Sequence, residues 1–277
     1  MKKFENIVIV SDLDGTFLDE NEGIVERNIK AIEYFKQNGG YFTIATGRVA
    51  EHALGAVPCA PELVNLPAVT CNGACLYDFR TRESPVTHTI SFEDVKEIVE
   101  FVRANFSSAG IRASSPEYCY VTTEEDMKNP LLAGDCARHS GAKNLIAPYE
   151  EWGQTPIFKV VLRIDEEILP IAMQSLKQYF GERFSVTQSW STIIDIQPAG
   201  INKGVTLEKY VRDVIGEQAK IYACGDYIND IEMLECADVA VCPCNAHDSV
   251  RSISDLCFGT NSDGLIADLI EYLDRLM

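Results

Sequence analysis

The sequence lacks an apolar run approaching the roughly twenty residues that a membrane-spanning helix requires. Met1-Lys2-Lys3 leads into a short strand pattern rather than into the apolar segment and cleavage site of a signal peptide. We therefore expect a cytoplasmic protein with no membrane partner. Low-complexity tracts and internal repeats are also missing from the 277 residues, so we expect a packed core in one large or two smaller domains.

Basic residues are scarce. The sequence has 24 Lys and Arg against 42 Asp and Glu, which gives a formal net charge of −18 at pH 7. This balance argues against nucleic acid as a partner, because a phosphate backbone would be repelled. A phosphorylated ligand would need a locally positive pocket built from a metal ion, a few basic side chains and backbone amides.

Histidine is rare as well, and the four histidines lie far apart in the sequence. The ten cysteines are scattered and lack the paired spacing of a zinc site. Without a secretion signal, we expect these thiols to be reduced. The sequence therefore predicts neither a disulfide framework nor a structural zinc site.

A short strand that ends in two carboxylates is the most informative stretch that the sequence does contain. The β-branched run Ile7–Val10 predicts a buried strand, and Asp12 and Asp14 follow it before Gly15. Alone, this pattern is more typical of a simple turn. However, crowded carboxylates at the end of an apolar strand repel each other and lose hydration unless a cation or a proton relieves them. Mg²⁺ is the cation that this chemistry favours.

Later strands also end in polar residues. The alternation of strands and helices predicts a parallel sheet with crossover helices, and ligands gather at the carboxyl ends of such strands. The residues at these ends are Thr46, Gly47 and Arg48 after strand 41–45, Asn72 after strand 67–71, and Asp226, Asn229 and Asp230 after strand 220–224. Lys203 opens a predicted helix, where an anion is favoured over a cation. We therefore expect Lys203 to face a phosphate or the acid pair.

The middle of the chain has a different character. Its predicted elements are strands 86–90, 118–122, 157–164 and 184–188 and helices 91–106 and 166–180. We predict an α+β domain at residues 83–189, inserted between core segments 1–82 and 190–277, with Ile193–Gln197 beginning the return to the core. An inserted domain of this kind can close over a cleft and select a substrate.

The motifs, taken in order, resemble those of the haloacid dehalogenase (HAD) superfamily of phosphohydrolases. They are Asp12-Leu13-Asp14-Gly15-Thr16, Thr46-Gly47-Arg48, Lys203-Gly204 and Gly225-Asp226-Tyr227-Ile228-Asn229-Asp230. The insert lies between the second and third motifs, as in the Cof-type subgroup (type IIB, C2 cap). Three further segments resemble accessory sequences of that subgroup: Asn72-Gly73-Ala74, Asn245-Ala246 and Asn261-Ser262-Asp263-Gly264. The resemblance implies an α/β fold with a Rossmann-like parallel-sheet core and an inserted α+β (C2-type) cap.

The resemblance also implies catalytic roles. Asp12 would be the nucleophile and would carry the phosphoryl group, while Asp14 would protonate the leaving oxygen and then activate water. Lys203 would neutralise charge on the phosphoryl group and on Asp12. Thr46 would bind the phosphoryl group, and the resemblance gives further phosphate contacts to Leu13, Gly47, Arg48, Asn72 and Asn229.

A metal role follows from the same resemblance. Asp12, Asp226 and the main-chain carbonyl of Asp14 would hold Mg²⁺, while Asn229 and Asp230 would support the metal shell and orient Lys203. One departure is visible, because Cys242-Pro243-Cys244 stands where the subgroup tends to have a glycine. We therefore expect the loop below Asn245 to have a different shape.

These features together predict a Mg²⁺-dependent phosphatase for small phosphorylated metabolites, with sugar phosphates favoured. Nucleotides, flavin mononucleotide and pyridoxal phosphate are alternative substrates, and a phosphomannomutase-like phosphotransferase is an alternative enzyme. A non-catalytic phosphate-binding protein on the same fold is a further alternative, which the presence of every catalytic carboxylate and of the lysine disfavours. The substrate and the oligomeric state, with a monomer among the options, stay open at this point.

Overall fold

The computed structural model describes residues 2–138 and 143–277. Its strands are β1 (Ile7–Ser11), β2 (Tyr41–Ile44), β3 (Ala68–Thr70), β4 (Cys75–Asp78), β5 (Glu83–Thr87), β6 (Gly110–Ser114), β7 (Tyr120–Thr122), β8 (Asn144–Ile146), β9 (Lys159–Arg163), β10 (Phe184–Trp190), β11 (Ile193–Pro198), β12 (Lys220–Cys224), β13 (Val239–Pro243) and β14 (Leu256–Phe258). Its helices are α1 (Glu26–Gln37), α2 (Ala50–Ala56), α3 (Ala60–Leu63), α4 (Phe92–Asn105), α5 (Pro130–Arg138), α6 (Leu169–Phe180), α7 (Lys203–Val214), α8 (Ile231–Cys236), α9 (Asp248–Ile253) and α10 (Leu265–Leu276).

The chain divides into two compact units. The first unit runs up to Gly47 and includes Ala53–Val86 and the chain from Asn202 onward, while the second comprises Arg48–His52 and Thr87–Ile201. The domain limits drawn from the sequence, at residues 83 and 189, stay a prediction. Within residues 2–138 and 143–277, no helix has both the length and the apolar character needed to cross a membrane.

A five-stranded sheet forms the centre of the first unit. Its order is β14-β13-β12-β1-β2, and all of its neighbouring strands are parallel. Every residue of β1 is buried, as expected for a central strand covered on both faces. This sheet and the separate sheet of the second unit confirm the α/β class, with its parallel core and additional α+β sheet.

A β-hairpin extends the first unit beside β2. Strands β3 and β4 pair antiparallel and are joined by a turn at Asn72-Gly73. Asn72 and Gly73 both have left-handed φ values, +54° and +101°. The next strand, β5, joins this sheet and begins at Glu83, which is earlier than residues 86–90. The hairpin brings Asn72 to the end of β2, where its N–H donates a 3.0 Å hydrogen bond to the Thr46 carbonyl.

The second unit contains a six-stranded sheet of order β10-β11-β9-β6-β7-β8. Helices α4 and α6 contribute their apolar residues to the core on one face of this sheet. Ser91 caps α4, since its side chain accepts a hydrogen bond from the Asp94 N–H.

The prediction that Ile193–Gln197 begins the return to the parallel core is wrong. This segment lies in β11, which pairs antiparallel with β9 and β10 of the second sheet. Alternation explains the difference, because Ile194 and Ile196 enter the second core whereas Asp195 lies on the opposite face. The buried Asp195 carboxylate forms an ion pair with the Lys159 ammonium, with Oδ2 and Nζ 2.9 Å apart.

We predict that Gly73→Ala destabilises the first unit by about 3 kcal/mol. The φ of +101° strains any L side chain, and an added Cβ would lie 2.2 Å from the Asn202 carbonyl oxygen at the start of α7. Urea denaturation would measure this loss. Gly200→Ala is the matched control, because Gly200 also has a positive φ (+71°) but no atom within 4 Å of the added Cβ. A Gly73→Ala loss no larger than the Gly200→Ala loss would contradict the steric argument.

Candidate active site

The acid pair lies in a tight turn at the carboxyl end of β1. The Asp12 N–H continues the pairing with β12 through a 2.9 Å hydrogen bond to the Cys224 carbonyl. Asp12 is 6% exposed, whereas Asp14 is only half-buried. Gly15 then turns the chain with a φ of +80°, and a Cβ there would lie 2.4 Å from an Asp226 carboxylate oxygen. Glycine is therefore required by both the backbone and the neighbouring acid.

Lys203 is the cation at the centre of the site. Its ammonium donates to Asp12 Oδ1 at 2.6 Å and to Asp230 Oδ1 at 2.7 Å, and the side chain is fully buried. Asn202 caps the helix that Lys203 opens, since its side chain accepts a 2.8 Å hydrogen bond from the Val205 N–H. The lysine thus faces the acid pair's first member, one of the two partners that its position predicted.

Burial and charge shift the pKa values of this pair. Burial raises the pKa of Asp12 to about 7, and the nearby charges of Asp230 and Asp14 add to the effect while Lys203 opposes it. Burial alone would lower the pKa of Lys203, but Asp12 and Asp230 together raise it above its ordinary value. The two shifts have different causes, since burial dominates at Asp12 whereas the two carboxylate partners dominate at Lys203.

Asp230 has a full set of partners within the first unit. One carboxylate oxygen binds Lys203, and the other accepts the N–H groups of Asp226 and Tyr227 at 3.0 and 3.1 Å. These bonds hold the loop after β12 and the lysine in one arrangement. The geometry therefore suits Asp230 to a supporting role rather than to direct binding of a ligand.

Asp226 completes a cluster of buried carboxylates. Asp12, Asp226 and Asp230 each offer an oxygen, and these oxygens lie within 4.8 Å of one another. Burial and the charges of Asp230 and Asp12 raise the pKa of Asp226 well above its ordinary value. Three carboxylates with one lysine leave excess negative charge, which a divalent cation would neutralise.

The oxygens available to such a cation can be identified. Asp12 Oδ1 is bound to Lys203 and Asp226 Oδ1 accepts the Thr16 hydroxyl, while neither Oδ2 has a hydrogen bond within residues 2–138 and 143–277. The Asp14 carboxylate lies outside the three-acid cluster of this described part. The resemblance gave Asp14 a metal contact through its main-chain carbonyl, and that contact stays a prediction.

The residues predicted to bind phosphate lie partly together. Asn229 Nδ2 donates to Asn72 Oδ1 at 3.3 Å, and Asn72 also meets Thr46 through the main-chain bond described above. A Cβ on Gly47 would lie 3.0 Å from Asn72 Oδ1, which places Gly47 in the same group. Leu13 is buried within the turn after β1. Arg48 is half-buried and belongs to the second compact unit, so its phosphate contact stays a prediction.

Several contacts around the acids were not anticipated from the sequence. The His247 N–H donates to the Asp226 carbonyl at 2.8 Å, and Asn261 Nδ2 donates to the Leu18 carbonyl at 2.7 Å. Asn245 Nδ2 in turn donates to Asn261 Oδ1 at 2.9 Å. The motifs at Asn245 and Asn261 resemble accessory sequences of the subgroup, but they do not reveal which residues these asparagines contact. Asn245 makes this contact directly after Cys242-Pro243-Cys244, the departure from the subgroup pattern.

Comparisons with known proteins show the family of this chain. A family model described as haloacid dehalogenase-like hydrolase matches residues 9–270. Pyridoxal phosphate phosphatase YbhA of Escherichia coli (strain K12) is 26% identical over 280 residues, covering 95% of this chain and 97% of that protein. The 5-amino-6-(5-phospho-D-ribitylamino)uracil phosphatase YitU of Bacillus subtilis (strain 168) is 27% identical over 271 residues, covering 96% and 97%.

A solved structure supports the same fold. The HAD subclass IIB sugar phosphatase BT4131 has a TM-score of 0.78 to this chain at 18% identity, and the match covers 96% of this chain and 98% of that one. At this identity the likeness shows the fold alone.

We predict that Lys203→Met, measured by urea denaturation in a chelator, lowers the free energy of unfolding by about 3–5 kcal/mol. The change leaves Asp12 and Asp230 buried without their cation. Because Lys203 lowers the pKa of Asp12, its loss raises that pKa further above about 7. A raised carboxyl pKa contributes stability at low pH that is lost as the pH rises through it, so the deficit should widen above about pH 7.

The matched control is Lys30→Met. Lys30 also pairs with a carboxylate, Glu26, but its side chain is 72% exposed. We expect this variant to unfold like the wild type at every pH. Equal losses in the two lysine variants would show that burial of the Lys203 cluster has no special energetic role.

Proposed function

Because the chain belongs to the haloacid dehalogenase-like hydrolases and is a phosphatase of that family, we propose that it hydrolyses small phosphorylated metabolites with Mg²⁺ through an aspartyl phosphate. The observation that carries this proposal is the buried Lys203 ammonium, bound to both Asp12 and Asp230 beside Asp226. This arrangement holds a carboxylate nucleophile ready while keeping positive charge where an anionic phosphoryl group would arrive.

The proposed reaction proceeds in two displacements. Asp12 attacks phosphorus with a carboxylate oxygen, the bond from phosphorus to the ester oxygen breaks, and Asp14 gives its proton to the leaving oxygen. Asp14 then takes a proton from water, which attacks the aspartyl phosphate and releases inorganic phosphate and the free Asp12 carboxylate. Lys203 remains bound to Asp12 and reduces the repulsion between the nucleophile and the phosphoryl oxygens.

The acidic cluster fits the proposed metal ion. Asp12 and Asp226 each have one carboxylate oxygen engaged by the protein, and we assign the other oxygen of each, with the Asp14 main-chain carbonyl, to Mg²⁺. Asp230 supports these residues through Lys203 and the two amides. When bound, Mg²⁺ would supply charge neutralisation at the phosphoryl oxygens.

Positioning of the phosphoryl group is the remaining part of the proposal. Thr46 and the amides of Leu13 and Gly47 would bind its oxygens, helped by side chains at the neighbouring loops. These helpers are Arg48, Asn72 and Asn229. The hydrogen bond between Asn229 and Asn72 supports a joint role for the two asparagines, since it brings both amide groups to one place.

Sugar phosphates are the substrates that we favour for this enzyme. The name of one relative supports pyridoxal phosphate, an alternative that the sequence already offers, and the name of another adds a ribityl phosphate on a pyrimidine. Nucleotides and flavin mononucleotide complete the group, and a cytoplasmic location would give access to all of them.

We predict that Asp12→Asn reduces phosphate release from p-nitrophenyl phosphate at least about a thousandfold, because an amide oxygen is a poor nucleophile. Asp19→Asn is the control from the same segment. Asp19 accepts the N–H groups of Asn21 and Gly23 through an oxygen that asparagine keeps, so this variant should retain wild-type activity.

Chelation tests the metal in the same assay. EDTA should stop the wild-type reaction, and added Mg²⁺ should restore it. Full activity of Asp12→Asn would exclude Asp12 as the nucleophile, and undiminished activity in EDTA would exclude the metal-dependent mechanism.

We also predict that a panel of phosphate esters, assayed with Mg²⁺, has its highest kcat/KM for a sugar phosphate. The panel should contain hexose and pentose phosphates, pyridoxal phosphate, the ribitylaminouracil phosphate, nucleoside monophosphates and flavin mononucleotide. The preference should reach about tenfold, since one or two added polar contacts in a closed site have this effect. A higher kcat/KM for any other class would assign the enzyme to that class instead.

A further inference from the structure

Thr16 makes a contact that the proposed reaction does not use. Its side chain is fully buried, and its hydroxyl donates a 2.7 Å hydrogen bond to Asp226 Oδ1. The two residues are 210 positions apart in the sequence. The bond therefore ties the turn after β1 to the loop after β12, which are the two loops that present the acidic cluster.

The main chain of Asp226 is already fixed by other partners. Its N–H donates to Asp230 Oδ2 at 3.0 Å, and its carbonyl accepts the His247 N–H at 2.8 Å. Neither bond determines the rotation of the carboxylate about its own axis. Within residues 2–138 and 143–277, Thr16 is the side chain that hydrogen-bonds this carboxylate.

Gly15 gives the carboxylate its place beside Thr16. A Cβ at Gly15 would lie 2.4 Å from Asp226 Oδ2 and 2.8 Å from its Cγ, so the absence of a side chain leaves the room that the carboxylate occupies. Gly15 thus leaves space for the Asp226 carboxylate, and the Thr16 hydroxyl orients it.

The two acids assigned to the cation are arranged in the same way. Asp12 has Oδ1 bound to the Lys203 ammonium, and Asp226 has Oδ1 bound to the Thr16 hydroxyl. In each case the oxygen left for a cation is Oδ2. The hydroxyl is neutral, so Thr16 orients Asp226 without competing with a cation for its charge.

We propose that Thr16 is a positioning residue for the metal ion, which orients Asp226 so that one oxygen faces the cation and thereby sets the affinity for Mg²⁺. This inference rests on the proposed function. Residues that orient metal ligands typically change affinity about 10- to 100-fold when they are replaced. A hydroxyl with a purely structural role would affect stability and leave the metal affinity unchanged.

Calorimetric titration of the full chain with Mg²⁺, without substrate, tests this role directly. We expect Thr16→Val to raise the Kd for Mg²⁺ about 10- to 100-fold and Thr16→Ser, which keeps the hydroxyl, to stay within about threefold of the wild type. Thr43→Val is the matched control, because the Thr43 hydroxyl is equally buried but donates to the Pro67 carbonyl at 2.8 Å. It should bind Mg²⁺ like the wild type.

The Mg²⁺ dependence of turnover gives a second readout. In Thr16→Val the Mg²⁺ concentration for half-maximal activity should rise by the same factor, while kcat at saturating Mg²⁺ and KM for p-nitrophenyl phosphate should return to near wild-type values. Where valine prevents folding by crowding the carboxylate, Thr16→Ala removes the hydroxyl without adding bulk, and the same shift is expected.

A wild-type Kd for Mg²⁺ in folded Thr16→Val or Thr16→Ala would overturn the inference, as would an equal loss in Thr16→Ser. These results are distinct from failure of the proposed function. If the wild type binds Mg²⁺ and the Thr16 variants bind it more weakly, but no ester releases phosphate, the phosphatase would be contradicted and the positioning role supported. An active, Mg²⁺-dependent wild type with unchanged affinity in the variants would contradict the positioning role alone.

Discussion

One ammonium group shared by two buried carboxylates is the interaction on which the first unit depends. Lys203 binds Asp12 and Asp230 at 2.6 and 2.7 Å, and a third acid, Asp226, lies beside them. Such a cluster is costly, since each ion loses hydration and only one positive charge is present. The same imbalance makes the place suitable for a divalent cation and a phosphoryl group together, because the cation supplies the charge that the protein leaves out.

The parallel sheet brings this cluster together from distant parts of the chain. Asp12 follows β1, Asp226 and Asp230 follow β12, and these two strands are neighbours in the sheet. Lys203 comes from the start of α7, which the hairpin approaches closely at Gly73. Glycine at positions 15 and 73 is therefore a condition for the site, since a side chain at either position would meet an atom of another site segment.

Much of this arrangement could be predicted from the sequence, because it depends on local patterns. Helix α4 lies within the predicted range 91–106, and the strand ends bear the predicted acids. Prediction from the sequence failed for strands whose formation and position depend on the strands with which they pair. Strand β6, Gly-Ile-Arg-Ala-Ser, has little β-propensity of its own and forms between β9 and β7, while β11 belongs to the second sheet through its pairing with β9 and β10. Pairing between strands that lie thirty or more residues apart, as β9 does from β6 and β11, carries no local signal.

The site shows the same limit at the level of single atoms. Asp12, Asp226 and Asp230 have identical chemistry, yet their partners differ: an ammonium for one, a hydroxyl for the second, and an ammonium with two amides for the third. The partners decide which oxygens are engaged and which remain for a ligand. A motif can therefore place the acids at the strand ends, but the division of labour among them follows from contacts such as Thr16 with Asp226, which join residues that no motif links.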